Sequence, residues 1–85
     1  MDTRHIRAAV EVARCGSFTA AARRLFMAQS TVSRQVASLE RDLGVHLFER
    51  GSRCIKPTAR GRAFLLQADI VLAAVDDAQR ACQSS

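Results

Sequence analysis

The 85-residue chain contains no tryptophan or tyrosine, a single proline and only four glycines. So few Gly and Pro leave little to punctuate many short strands, which argues against a β-sandwich or barrel and for helices. Cysteine is sparse and odd in number: Cys15, Cys54 and Cys82 lie far apart. That pattern is not a disulfide framework and reads as reduced thiols of a cytosolic protein. With His5 and His46 the cysteines form no C-x2-C or H-x3-H pair, so no metal site is expected. Long apolar runs are missing too. The longest is Ile70 to Val75, against the roughly 20 residues that a membrane helix needs. No charged segment followed by an apolar stretch opens the chain, so no signal peptide is expected. A soluble, cytoplasmic protein is the expectation.

What is present is alanine, with fifteen copies, and four phenylalanines. Apolar residues make up 48% and charged residues 25%, close to globular averages, so the chain should fold. Its length allows one small domain with a modest core. The net charge of +5 is unevenly placed. Residues 1–62 hold twelve of the thirteen bases against five of the eight acids, whereas residues 63–85 set Arg80 against Asp69, Asp76 and Asp77. A basic body with a slightly acidic tail points to a polyanion bound by the body. No segment sets a Lys/Arg-rich face against Trp, Phe and Leu, so nucleic acid is favoured over a membrane surface.

Periodicity divides the chain into helices and one short extended region. Residues 2–14 read as a helix with Asp2 or Thr3 as its cap, an apolar face of Ile6, Ala9, Val10 and Ala13, and Gly16 as its left-handed stop. Ser17 is a natural cap for a second helix to about Leu25, and Phe26, Met27 and Ala28 form a turn. A third helix, from about Gln29 to Leu43, ends at Gly44. Its buried stripe is Val32, Val36, Leu39 and Leu43, and Ser30, Ser33, Arg34, Ala37 and Arg41 face outward. Residues 45–50 and 53–57 then read as two short strands, with Gly51-Ser52 as a two-residue turn. Pro57 closes the second strand and Thr58 caps a last helix to about Cys82.

That last helix carries two apolar stripes. Phe64, Ala68, Val71, Val75, Ala78 and Cys82 follow a 4-3-4-3-4 spacing, a coiled-coil-like seam. Ala59, Ala63, Leu66, Ile70 and Ala73 form the other. A 60-residue body cannot cover both, so one side is expected to meet a second copy of the chain as a homodimer. The division expected is therefore a DNA-binding unit at 1–57 and a dimerisation helix and tail at 58–85.

Two short helices joined by a tight turn, the second with a polar outer face at its start, describe a helix-turn-helix, whose second helix enters the major groove. The hairpin after it is placed as a wing. The runs GSFTAAARRL (16–25), QSTVSRQVASLERDLGVHLFER (29–50) and PTARG (57–61) resemble the N-terminal DNA-binding domain of LysR-type transcriptional regulators, over essentially the whole chain. The resemblance implies a mainly α fold: a winged helix-turn-helix of three helices and a two-stranded wing, then a long linker helix that dimerises. It further implies a larger effector domain that binds a small co-inducer, so the 85 residues read as an N-terminal fragment that itself takes no cofactor.

Carried over by position, the base-reading residues are Gln29, Ser30, Ser33 and Arg34. Gln suits adenine and Arg suits guanine. Thr31 and Gln35 flank that face as backbone contacts, Arg53 is placed at the wing tip for the minor groove, and Ser17, Thr19 and Thr58 stand at helix starts suited to phosphate. Two positions depart from the family pattern: Ala28 replaces the usual Ser or Thr, and Ser30 a frequent Pro. The partner implied is a pseudo-palindromic double-stranded DNA site. Alternatives are a winged-helix regulator of another class, or a winged helix that binds protein. An enzyme is not expected, because Asp76 and Asp77 point about 100° apart on a helix and no nucleophile-elbow or phosphate-loop spacing occurs.

Overall fold

The computed structural model describes residues 1–49, 51 and 54–83. Four helices follow one another: α1 (Thr3–Cys15), α2 (Phe18–Leu25), α3 (Gln29–Leu43) and α4 (Ala59–Gln83). Their ends are set by local chemistry. Asp2 caps α1, its carboxylate accepting the Arg4 N–H at 2.8 Å. The Arg4 side chain bonds the same carboxylate, and together these contacts hold the Asp2 carboxyl down at about 2 instead of 3.8. Ser17 caps α2 by accepting the Ala20 N–H at 3.1 Å. Gly16 and Gly44 close α1 and α3 in the left-handed region, at φ 66° and 69°, where a Cβ is disfavoured.

The core is built around α1. Ile6, Ala8, Ala9, Val10 and Val12 are all buried, so this helix is enclosed on more than the single face that the spacing suggests. α2 and α3 close one side of it with Ala21, Ala22, Val32, Val36 and Leu39, and α4 closes another with Leu65, Ala68 and Leu72. Leu47 and Phe48 fill the remaining gap, and the Phe48 ring meets Phe18 edge-on at 6.2 Å. Each large side chain buried this way contributes about 1.5–3 kcal/mol.

Between α3 and α4 the chain makes one antiparallel bridge, Phe48 with Pro57. The Glu49 N–H donates to the Lys56 carbonyl at 2.8 Å, and the Thr58 N–H to that of Leu47 at 2.9 Å. No longer strand forms among the described residues. A two-residue turn at Gly51-Ser52 would have set Phe48 opposite Ile55; the observed register sets it opposite Pro57. Arg50, Ser52 and Arg53, which carry the expected turn, lie outside the described residues.

The seam expected on α4 does not lie on one open face. Ala68 is buried in its own chain, and Phe64 packs against the same core. Val75 is half-buried, while Val71, Ala78 and Cys82 are exposed. The large apolar side chains that α4 leaves open are Leu66, Ile70 and Val71, at 67%, 61% and 44% exposure. The reason is phase: Leu65 and Leu72, seven residues apart and both outside the expected seam, turn inward with Ala68. The other stripe is thereby left outside.

Candidate nucleic-acid interface

The start of α3 is an open helix end that bears polar side chains. Ala28 occupies its cap position in extended backbone and supplies no side-chain hydrogen bond. The N–H groups of the first turn therefore have no side-chain acceptor and can serve an anionic one from outside. Gln29, Ser30, Ser33 and Arg34 are all exposed there, whereas Val32, Val36 and Leu39 anchor the opposite face in the core. The four residues named from sequence thus share one outward surface, which a helix produces when positions spaced by three and four alternate in polarity.

Two contacts shape that surface. The Thr19 hydroxyl donates to the Gln29 amide oxygen at 3.1 Å, which ties the first residue of α3 to α2. Thr31 and Gln35 are half-buried rather than open, and the Gln35 amide oxygen is buried without a hydrogen-bond partner among the described residues. Both sit at the margin of the face.

The hydroxyls at the other helix starts are more occupied. Ser17 is committed to its cap. Thr58 donates to the His46 carbonyl at 2.6 Å and accepts the Gly61 N–H at 2.9 Å, so its hydroxyl joins the α4 start to the bridge segment. Of the three, Thr19 alone is exposed. Arg53 lies outside the described residues.

Charge is sorted more sharply than composition shows. Arg4, Arg7, Arg14, Arg24 and Arg80 each meet a carboxylate: Asp2, Asp76, Asp69, Glu11 and Asp77 respectively. Among the described residues, Arg23, Arg34, Arg41, Arg60 and Arg62 are exposed and meet no carboxylate, Arg62 donating to the Pro57 carbonyl instead. Two of these, Arg34 and Arg41, are seven residues apart on α3 and so on one face. Arg41 was placed on the outward face by periodicity but was not among the expected contacts; Arg23 and Arg60 carried no signal that separates them from paired arginines. Exposed arginines without a carboxylate thus stand on α2, α3 and the start of α4, and the two of α3 share one face.

No group of three metal-ligating side chains occurs among the described residues. No helix among them is long and apolar enough to cross a membrane. The sequence profile of the bacterial regulatory helix-turn-helix proteins, lysR family, matches residues 3–62. Over all 85 residues the chain is 40% identical to the HTH-type transcriptional regulator TfdT of Cupriavidus pinatubonensis, covering 37% of that protein. Over 76 residues, 89% of the chain, it is 46% identical to the HTH-type transcriptional regulator BenM of Acinetobacter baylyi, covering 25% of it. The chain thus spans only between a quarter and two fifths of these relatives. Among solved structures it superposes on the BenM_DBD/benA site 1 DNA complex with a TM-score of 0.93 at 42% identity, covering 98% of the chain and 93% of that one. On CbnR, a LysR family transcriptional regulator, the TM-score is 0.92 at 38% identity, covering 99% of the chain and 29% of the other.

Proposed function

The chain belongs to the lysR family of bacterial regulatory helix-turn-helix proteins, and from that premise we propose that it reads double-stranded DNA as a homodimer. The observation that carries the reading is the outward face of α3, where Arg34 stands exposed and free of any carboxylate among the described residues. α3 lies in the major groove. Arg34 takes the O6 and N7 of a guanine, a pairing worth about 1–3 kcal/mol against the wrong base. Gln29, with its amide oxygen held by Thr19, presents its NH2 to a base acceptor. Ser30 and Ser33 serve a base edge or a phosphate, and Arg41 and Arg23 add backbone charge.

The Phe48–Pro57 bridge is the base of a wing, whose intervening residues include Arg50 and Arg53 and whose role is to reach the adjoining minor groove. Dimerisation uses α4 through Leu66, Ile70 and Val71, the apolar side chains it leaves uncovered. A two-fold dimer demands a pseudo-palindromic site with half-sites a whole number of turns apart, about 34–36 Å each. In the intact regulator a further domain would sense a small molecule. The 85 residues need none for DNA reading.

Selection from a random duplex library with the 85-residue protein at near-physiological salt tests this. Enrichment of a two-fold symmetric motif is expected. Arg34→Ala should then relax preference at one or two base positions within each half-site. A folded protein that binds no duplex, or an Arg34→Ala variant weakened equally on every sequence, would overturn the assignment of that role.

A further inference from the structure

Two ion pairs join α1 to α4: Arg7 with Asp76 at 3.4 Å and Arg14 with Asp69 at 3.2 Å. The partners run in opposite order along the two helices, so α1 and α4 are antiparallel, and the pairs are seven residues apart on each. We propose that these two rungs are positioning contacts that fix the angle between the helix-turn-helix and α4, and through it the half-site spacing that a dimer accepts. The proposal rests on the dimeric DNA-reading function above.

Seven residues put the rungs about 10 Å apart along the helices. One attachment would leave a pivot; two attachments at that separation define a direction. The apolar contact between them does not define it as well. Leu65, Ala68 and Leu72 meet α1 there, but beside the Arg14–Asp69 rung a crevice of about 180 Å³ opens, lined by Val10, Ala13, Arg14, Leu65 and Asp69. A groove that is incompletely filled leaves the crossing angle less determined than a close-packed one. Past Asp76, residues 77–83 are all exposed.

The lower rung also leads toward the DNA face. Arg14 lies 3.7 Å from the Glu11 carboxylate, and Glu11, almost wholly buried, holds Arg24 of α2 at 3.1 Å. The charged chain Asp69–Arg14–Glu11–Arg24 thus runs from α4 through α1 to the helix that precedes the recognition helix. Base pairs step by about 3.4 Å, so a small rotation of α4 against the body, carried outward to α3, changes the separation of the two recognition helices on that scale. The rungs are half-exposed, and such pairs add little to folding stability, so a purely stabilising role does not account for two of them in register.

The test uses Arg7→Asp, Asp76→Arg and the double reversal in the 85-residue protein, on inverted half-sites whose separation varies by single base pairs. The half-site comes from the wild-type selection. The readout is the ratio of affinity at the preferred separation to that one base pair away, in which a uniform loss from altered net charge cancels. Each single reversal should lower that ratio threefold to fivefold, or about 0.6–1 kcal/mol, with the melting temperature nearly unchanged. The double reversal should restore it, and Asp76→Asn should flatten it as a single reversal does. Single variants that keep the wild-type ratio, or a double reversal that fails to restore it, would overturn the proposal. Wild-type protein that binds one half-site as tightly as two would instead remove the dimeric reading on which it stands.

Discussion

Replacing Gly61 by alanine sets two physical expectations directly against each other. Gly61 is the third residue of α4, and in a helix interior Gly→Ala is ordinarily stabilising by about 1 kcal/mol. Here a Cβ would lie 2.0 Å from the Leu47 carbonyl oxygen and 2.8 Å from its carbon. These are backbone atoms, so no rotamer change relieves the overlap; α4 must move away from the bridge segment. Forced overpacking costs about 1–3 kcal/mol or more. The same Leu47 oxygen accepts the Thr58 N–H, and the loss of that bond adds about 0.5–1.5 kcal/mol. Taking the upper part of the overpacking range for a backbone clash, the net expectation is a loss of about 2–3 kcal/mol. A domain of this size holds about 4–13 kcal/mol in all, so the melting temperature should fall by roughly 10–20 °C. Thermal and urea unfolding followed by far-UV circular dichroism measure it. A melting temperature equal to or above wild type would refute the reasoning, because helix propensity would then have won and the close approach of α4 to Leu47 would carry no cost.

Three further changes follow from the same local chemistry. Ala28→Ser supplies the side-chain acceptor that α3 lacks at its start and should stabilise the fold by about 0.5–1 kcal/mol; an unmoved urea midpoint would show that no cap bond forms. Phe26 is 96% exposed and sits at φ 56°, a region that asparagine tolerates far better than an aromatic residue. Phe26→Asn should therefore gain up to about 1 kcal/mol, and a lower melting temperature would mean that the ring makes contacts that its exposure denies. The Asp2 carboxyl, lowered chiefly by its hydrogen bond from the Arg4 side chain, should titrate near 2. Because the folded value lies below the unfolded one, its contribution is complete above about pH 4 and is lost as pH falls toward 2. Carboxyl NMR shifts report it directly, and a midpoint at the ordinary 3.8 would contradict the cap geometry.

The helices were legible because their ends are written in residues with one strong local preference. Asp2, Ser17, Gly16 and Gly44 stand where the caps and stops are found, and the alternation of Val32, Val36 and Leu39 with polar neighbours placed α3 to the residue. The errors fall where tertiary contacts decide. α1 looked one-sided because small alanines carry little periodic signal; Ala8 is as buried as Ala9. The two stripes of α4 have similar apolar content, and nothing local says which one α1 will cover. Leu65 and Leu72 settle it by lying with Ala68 on the inward face. The bridge register also escaped, since it is held by Thr58 and Leu47 rather than by turn chemistry at Gly51.

The outward face of α3 was legible for a related reason, and its electrostatics were not. An exposed helix face shows itself by the polarity of its side chains, so Gln29, Ser30, Ser33 and Arg34 could be named together. Whether an arginine is available to an anion depends on carboxylates brought near by folding. Arg14 and Asp69 are 55 residues apart, Arg7 and Asp76 are 69 apart, and no sequence window joins them. The consequence is directional. Pairing neutralises Arg7 and Arg14 where α1 meets α4, while Arg34 and Arg41 on α3 keep their charge. A net charge of +5 spread evenly would attract DNA to every face and orient none. With Arg34 and Arg41 unpaired on one face of α3, approach by that face is the one that the proposed DNA reading favours.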